Sequence, residues 1–282
     1  MHYTIRLLPA LLLCFFSLKI NAQEKDLALG FLMQEKNYEG VILLYDYKED
    51  ELTTSHFNKA NDRVLPASTF KIFNTLLFLD LGIVEDTLFT LQWDGTNHKH
   101  KGRTIASWNK DTNLAEAFRN STVWYYKELS KPIDLKTYKK FMKKAKYGKV
   151  FGNKKKELDF WNIGSKIGVS AKEQIRLLVR IHEYHGLYQK EHIDIVKELM
   201  IEEKTDDYIL RSKTGWTVTP DKRFDVGKDL GWYIGYVETD DNAYFFAVRI
   251  EKPRNKPDRS FSKDRKILAR KALKHAFGID IN

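Results

Sequence analysis

A chain of 282 residues, 43% of them hydrophobic, can bury a sizeable core, which excludes a small scaffold held by disulfides. The only cysteine, Cys14, lies near the N-terminus, so a mature chain without that segment has no disulfide and no thiol nucleophile. The formal net charge of +10 predicts a basic, solvated surface, and the export predicted below argues against nucleic acid as a partner.

Residues 1–22 have the layout of a signal peptide. A basic residue precedes the apolar run of residues 7–16, and small residues then lead into a polar stretch. This run is too short to span a membrane, and no later run approaches the roughly 20 apolar residues that a spanning helix needs. We predict cleavage near Ala22, export to the periplasm and a mature domain over residues 23–282. Lipid attachment at Cys14 is a minor alternative, because the residue before it is a leucine rather than a small residue.

The first chemical signal lies at the start of a predicted helix. Before it, residues 38–46 and 52–57 predict two strands of a hairpin. Pro66 and a long apolar run then predict a buried helix with Ser68 in its first turn. Lys71 follows Ser68 by three residues, so the hydroxyl and the amine share one helix face and the amine can take the hydroxyl proton.

Lys71 lies in a sequence that favours a neutral amine. It stands between Phe70 and Ile72 in an almost uninterrupted apolar run, where an ammonium is tolerated only when it is paired or neutralised. Burial lowers the pKa of a lysine, and a neutral lysine is a base, so Ser68 is the predicted nucleophile. Taken alone, the same spacing is also typical of a helix-cap serine followed by a solvated lysine.

The rest of the chain predicts helices in the middle and strands towards the C-terminus. Ser170 and Glu173 form a capping box for the clearest helix. Three strands and a closing helix are predicted over residues 208–214, 231–237, 244–250 and 263–277. We therefore predict an α/β fold of the α+β type, with an antiparallel sheet built from both chain ends, flanking helices and an inserted, mostly helical lobe.

Two further patterns supply groups that a serine enzyme needs. Lys213-Thr214-Gly215 lies in a predicted strand, where Gly215 permits close backbone approach and Thr214 offers a hydroxyl. Lys213 offers a cation for a substrate carboxylate. Ser121 lies in a short polar segment and is suited to relay a proton to a leaving nitrogen.

Five short motifs follow one another along the chain. They are Pro66-Ala67-Ser68-Thr69-Phe70-Lys71, Ser121-Thr122-Val123, Phe151-Gly152-Asn153, Asp159-Phe160-Trp161 and Lys213-Thr214-Gly215-Trp216. Each is weak alone, but in this order they closely resemble the class D (oxacillinase-type) β-lactamases among the penicillin-recognising serine enzymes. The resemblance covers nearly all of the mature chain. It implies hydrolysis of β-lactams through an acyl-serine at Ser68, and hence antibiotic resistance.

The resemblance also implies roles for other residues. The backbone amides of Ser68 and Trp216 hold the oxyanion, and carbon dioxide carboxylates Lys71 to a carbamate that is the general base of both half-reactions. No other cofactor is implied. Trp161 donates its indole N–H to the carbamate, while Val123, Trp161 and the phenylalanine before Lys71 form a dry pocket that favours the neutral amine.

The family carries an arginine near the C-terminus that pairs with the substrate carboxylate. Arg265 is our candidate, and Arg259 and Arg270 are the alternatives in the same basic cluster. The expected substrate-binding residues are then Val123, Lys213, Thr214, Gly215, Trp216 and Arg265.

The chain departs from the family pattern at several points. Phe151 stands where a tyrosine is common, which predicts a tuned activity, and Asn162 stands where a leucine is common, which bears on deacylation. Residues 217–229 predict a long, charged loop of the kind that sets which β-lactams fit.

Two other functions share part of this pattern. A β-lactam sensor domain keeps the acyl group, but such domains follow several membrane spans. A peptidoglycan DD-peptidase or transpeptidase shares the serine-lysine and Lys-Thr-Gly logic but not the other motifs. The histidines lack the spacing and acidic partners of a metal site, so no metal is predicted. A monomer or a homodimer is expected.

Overall fold

The computed structural model describes residues 23–25, 29–100, 102–151, 167–221, 224–255 and 258–281. The predicted signal peptide, Gly152, Asn153, Trp161 and Asn162 lie outside the described residues. The α-helices are α1 (Gly30–Glu35), α2 (Lys71–Asp80), α3 (Leu114–Asn120), α4 (Val123–Ser130), α5 (Leu135–Ala145), α6 (Ala171–His182), α7 (Lys190–Leu199) and α8 (Phe261–Phe277). The strands are β1 (Gln23–Lys25), β2 (Glu39–Asp46), β3 (Glu51–Thr54), β4 (Thr90–Leu91), β5 (Lys99–His100), β6 (Arg103–Thr104), β7 (Thr112–Asn113), β8 (Lys149–Val150), β9 (Ile167–Gly168), β10 (Ile201–Lys204), β11 (Ile209–Asp221), β12 (Phe224–Glu238) and β13 (Ala243–Pro253).

A seven-stranded sheet joins the two ends of the chain. Its strand order is β1-β3-β2-β13-β12-β11-β10, and all pairs are antiparallel except β1 with β3. The junction lies between β2 and β13, where Val41 pairs with Arg249. This confirms the predicted α+β architecture, in which strands from both ends close one sheet and the helical segments lie between them.

Both faces of the sheet are buried. Side chains alternate between the faces along each strand, and apolar residues on each face pack into a separate core. On one face Leu44 and Val248 belong to a core that includes residues of α1 and α8. On the other face Leu43 and Ala247 belong to a larger core that includes residues of α2, α4, α5, α6 and α7. The predicted capping box of Ser170 starts α6, which contacts β2, β12 and β13 on this second side.

Helix α2 is the buried centre of the larger core. Every residue from Lys71 to Leu79 is buried, which is the pattern of a helix surrounded by protein on all sides. The predicted first turn of this helix is instead a 3-10 turn over Ala67–Phe70, and α2 begins at Lys71. The physical reason is the backbone of Ala67, whose φ of 51° is incompatible with an α-helix. Ser68 therefore lies in a tight turn that runs directly into α2.

The prediction of a long loop over residues 217–229 is wrong. β11 continues to Asp221 and β12 begins at Phe224, with Thr217 opposite Leu230 and Thr219 opposite Lys228. Two of the charges that suggested a loop, those of Lys228 and Asp229, pair across the described strands instead. The Asp229 carboxylate lies 3.4 Å from Lys252 Nζ. The Nζ of Lys228, the residue opposite Thr219, lies 2.7 Å from the Glu251 carboxylate. Along the described ranges, no helix has both the length and the apolar content needed to cross a bilayer.

Candidate active site

Strand β11 lies directly against the turn that carries Ser68. A Cβ atom on Gly215 would come 3.0 Å from the Pro66 carbonyl oxygen, 3.1 Å from the Ala67 Cβ and 3.2 Å from the Ser68 nitrogen. These contacts are tighter than nearly all real Cβ contacts. Only a glycine therefore permits the strand and the turn to meet at this distance. The approach brings the backbone amide of Ser68 next to the strand segment that continues into Trp216.

Lys71 meets the hydroxyl of Ser68 inside the protein. Its Nζ lies 3.2 Å from Ser68 Oγ and 5.0 Å from the ring centroid of Tyr126, and its side chain is fully buried. Tyr126 is fixed by a 2.8 Å hydrogen bond with Thr75 one turn along α2. Burial lowers the pKa of Lys71 well below its ordinary value, and the charge of Lys213 lowers it further. The amine that contacts Ser68 is thus biased towards its neutral, basic form.

A second buried lysine holds the other serine of the site. Lys213 donates from Nζ to Ser121 Oγ at 2.6 Å. Ser121 ends α3 in a left-handed conformation (φ 55°, ψ 36°), and Val123 begins α4 two residues later, so the hydroxyl stands at a sharp corner between two helices. Burial is the largest cause, and together with the charges of Arg265 and Lys266 it lowers the pKa of Lys213 to about 7.

Of the three candidate arginines, Arg265 is the one that reaches the cleft of Ser68. Its Nε donates to the Ser262 carbonyl at 3.1 Å, and its guanidinium donates to the Gly215 carbonyl. Burial lowers its pKa to about 10, so it stays charged near neutral pH. The guanidinium of Arg270 instead lies 3.9 Å from the Glu202 carboxylate, and Arg259 lines a neighbouring cleft.

The predicted residues converge on one cleft of about 290 Å³. The residues of the sequence motifs that line it are Ser68, Ser121, Val123, Thr214, Gly215, Trp216 and Arg265. Lys71 and Lys213 contact Ser68 and Ser121 from within the protein. The sequence analysis gave no role in this cleft to His100, Ile105, Trp108, Arg119 and Asn120, which also line it. Trp161 lies outside the described residues.

His100, Ile105 and Trp108 come from one segment, residues 100–108, whose only sequence signal is an aromatic residue among polar ones. Trp108 ends a 3-10 turn and donates from Nε1 to the Asn120 carbonyl at 2.9 Å. Its own carbonyl accepts from Trp124 Nε1 at 2.7 Å. These bonds tie the segment to the corner that carries Ser121, so it forms a wall of the cleft.

A hydrogen-bonded network supports the turn of Ser68 from below. Thr69 donates to the Pro66 carbonyl at 2.6 Å and accepts from Gln174 at 2.8 Å. Gln174 in turn accepts from Tyr147 at 2.8 Å. On the other side, Trp232 donates to the Leu65 carbonyl at 2.9 Å. Because these partners are buried, the network fixes the nucleophile before any substrate arrives.

The histidines considered as metal ligands lie on different elements. His98 and His100 are near the cleft, and His182 packs edge-on against Tyr47 and Tyr236 in the core. Within the ranges that the structure describes, no group of three or more histidine, cysteine, aspartate or glutamate side chains is arranged to hold a metal ion.

Comparison with known proteins identifies the family. Residues 30–274 match the model of the penicillin binding protein transpeptidase domain. Beta-lactamase OXA-20 of Pseudomonas aeruginosa is 36% identical over 231 residues, which cover 81% of this chain and 80% of that protein. The chain belongs to the class D β-lactamases.

A solved structure and a regulatory protein extend this comparison. The crystal structure of a class D β-lactamase from Sebaldella termitidis has a TM-score of 0.82 at 35% identity, covering 93% of this chain and 100% of that one. The regulatory protein BlaR1 of Bacillus licheniformis is 31% identical over 75% of this chain but only 33% of its own length. The class D β-lactamase fold thus includes both the enzymes and a domain of a regulator.

Proposed function

We propose that this enzyme hydrolyses the amide bond of penicillin-type β-lactams through an acyl-serine intermediate on Ser68. The observation that carries the proposal is the contact of Ser68 Oγ with the Nζ of a fully buried Lys71, in a cleft that Arg265 lines and behind whose Ser121 the buried Lys213 lies. A hydroxyl beside a neutral amine is an activated nucleophile, and cations beside it suit the carboxylate that β-lactams carry.

The first chemical step forms the ester and opens the ring. Ser68 Oγ attacks the β-lactam carbonyl carbon, and its proton leaves on the side where Lys71 Nζ lies 3.2 Å away. The backbone amides of Ser68 and Trp216 stabilise the oxyanion. As the carbon–nitrogen bond breaks, Ser121 passes a proton to the ring nitrogen and is resupplied through its 2.6 Å hydrogen bond from Lys213.

Binding orients the substrate before this step. The substrate carboxylate is placed beside Arg265 and Thr214, which line the cleft, with Lys213 behind Ser121 inside the protein. Val123 and Trp216 supply apolar contact area. A carboxylate bound here meets two buried cations whose solvation by water is already lost, which makes the ion pair worth more than one at the surface.

The surroundings of Lys71 fit a carbamate formed with carbon dioxide. The amine is biased towards the neutral form that reacts with carbon dioxide. Asn74 lies one turn further along the same face of α2 and is fully buried, and among the described residues neither atom of its amide has a hydrogen-bond partner. When bound, the carboxyl group supplies the base for acylation and deacylation. Trp161 is the residue that we assign to hold it.

We also propose that residues 1–22 are a signal peptide, that the enzyme acts in the periplasm and that its activity protects the cell from β-lactams. The layout of that segment in the sequence supports the assignment. The alternative is a β-lactam sensor domain, which the match to BlaR1 favours. A sensor domain keeps its acyl group, whereas an enzyme hydrolyses it. Whether the acyl-serine is released therefore distinguishes the two functions in the isolated domain.

Intact mass spectrometry of the mature protein with a penicillin tests the proposal. We expect a transient adduct of one penicillin mass that clears as substrate is consumed, faster with added bicarbonate. Ser68→Ala should form no adduct. A permanent one-to-one adduct without catalytic substrate loss would support the sensor function, and neither adduct nor substrate loss in the parent protein would refute Ser68 as the nucleophile.

A further inference from the structure

A second cleft opens beside the one that holds Ser68. Its volume is about 820 Å³, and His100, Ile105 and Trp216 line both clefts. The His100 ring meets the Trp216 ring edge-on, with 5.9 Å between the ring centroids. Trp216 is itself fixed, because its Nε1 donates to Asp229 at 3.0 Å. The two clefts are therefore compartments of one opening, divided at Trp216.

The second cleft carries two cations for which the described part of the chain supplies no carboxylate partner. Arg103 and Arg259 line it with exposed side chains, and within the described residues neither guanidinium makes an ion pair. One carboxylate, Asp258, also lines the cleft, but it already accepts hydrogen bonds from Tyr38 and Ser260. An anion that enters this space meets two free guanidiniums and one carboxylate whose oxygens are already hydrogen-bonded.

The position of Arg265 determines which end of a substrate reaches the second cleft. Arg265 lines the first cleft, and its Nε donates to the carbonyl of Ser262, which lines the second. In a cephalosporin, the C3 substituent is attached to the carbon next to the one that bears the carboxylate. A carboxylate held at Arg265 therefore places that substituent towards Trp216 and the second cleft.

We propose that the second cleft is an anion subsite that binds a negatively charged C3 substituent of a cephalosporin, with Arg259 and Arg103 as its specificity-determining residues. This inference rests on the proposed β-lactam hydrolysis and names the substrate class that the site favours. The subsite adds a second charge interaction to the one at Arg265. Because both arginines are exposed, the gain is that of screened ion pairs rather than of a buried pair.

The test compares two cephalosporins that share nucleus and acyl side chain. One carries a neutral acetoxymethyl group at C3, and the other carries an anionic heterocyclic thioether there. The readout is the ratio of their kcat/KM values, anionic over neutral. We expect Arg259→Ala and Arg103→Ala each to lower this ratio about two- to fivefold, mainly through KM for the anionic substrate. Arg259→Glu should lower it further, and Arg259→Lys should keep most of it.

The matched control is Arg254→Ala, which removes an exposed arginine that does not line either cleft. It should leave the ratio unchanged. Raising the salt concentration should lower the parent ratio towards that of Arg259→Ala. If the variants turn over both substrates with the parent ratio, the subsite is refuted and the hydrolase function stands. If the parent hydrolyses a penicillin but neither cephalosporin, the subsite is refuted and the hydrolase function stands; if it hydrolyses no penicillin either, the hydrolase function is refuted and the subsite with it.

Discussion

Replacing Gly215 by alanine perturbs the site through one atom. The added Cβ would lie 3.0 Å from the Pro66 carbonyl oxygen, 3.1 Å from the Ala67 Cβ and 3.2 Å from the Ser68 nitrogen, whereas ordinary contacts begin near 3.4 Å. These neighbours belong to the backbone or to a side chain without rotamers, and the network beneath the turn holds them in place. We expect strand β11 to move away from the turn by a few tenths of an ångström.

The displacement should reduce activity more than stability. Overpacking by a single carbon costs about 1–3 kcal/mol, which for a domain of this size lowers Tm by only several degrees. The backbone amides of Ser68 and Trp216 move apart, however, and oxyanion donors act over a narrow range of distances. Because a 1 Å displacement costs about a hundredfold in rate, we expect kcat/KM of Gly215→Ala to fall about tenfold.

The assay is steady-state hydrolysis of a chromogenic cephalosporin together with thermal unfolding. Gly186→Ala is the matched control, because nothing lies within 4 Å of the Cβ that it adds. The control should keep parent activity and Tm. If Gly215→Ala kept the kcat/KM of the parent, the close approach of β11 to the Ser68 turn would not be needed for catalysis, and the proposed oxyanion site would be wrong.

Three further predictions follow from the buried cations. Lys71→Ala should acylate slowly and keep its adduct for hours by intact mass spectrometry, and turnover like the parent's would exclude Lys71 as the base. Lys213 has a folded pKa of about 7 against an ordinary 10.5, so the folded state binds fewer protons than the unfolded state between these values. Stability should therefore rise with pH in that window, and thermal melts at pH 7 and 9 should show a smaller rise for Lys213→Met. Arg265→Ala should raise KM about 10- to 100-fold with a smaller change in kcat, whereas Arg270→Ala should change neither by more than about twofold; equal effects would exclude the assigned carboxylate partner.

The sequence predicted the elements whose signals are local. Ser170 with Glu173 marked the start of α6, and short apolar runs marked several strands that form the sheet. The apolar run around Lys71 predicted a buried lysine, because a charge in such a run has no other stable arrangement. These features depend on neighbours within a few residues, so they are visible without the tertiary structure.

Features that depend on distant contacts could not be predicted. The charges of residues 217–229 suggested a loop. The described residues of this segment instead lie in the paired strands β11 and β12, where Lys228 finds a cross-strand partner in Glu251. The cleft wall at Trp108 is positioned by hydrogen bonds to Asn120 and Trp124, and nothing in its own segment indicates them. The choice of Arg265 over Arg270 likewise required the packing of α8 against the sheet.

The two buried lysines support each other's roles. Lys71 must be neutral to act on Ser68, and burial lowers its pKa with help from the charge of Lys213. Lys213 is close to losing its own proton at neutral pH, but a substrate carboxylate favours its charged form. A bound carboxylate would therefore favour the ammonium at Lys213, but its own negative charge would offset the effect of that ammonium on Lys71. The neutral form of Lys71 thus depends mainly on burial, which acts with or without substrate.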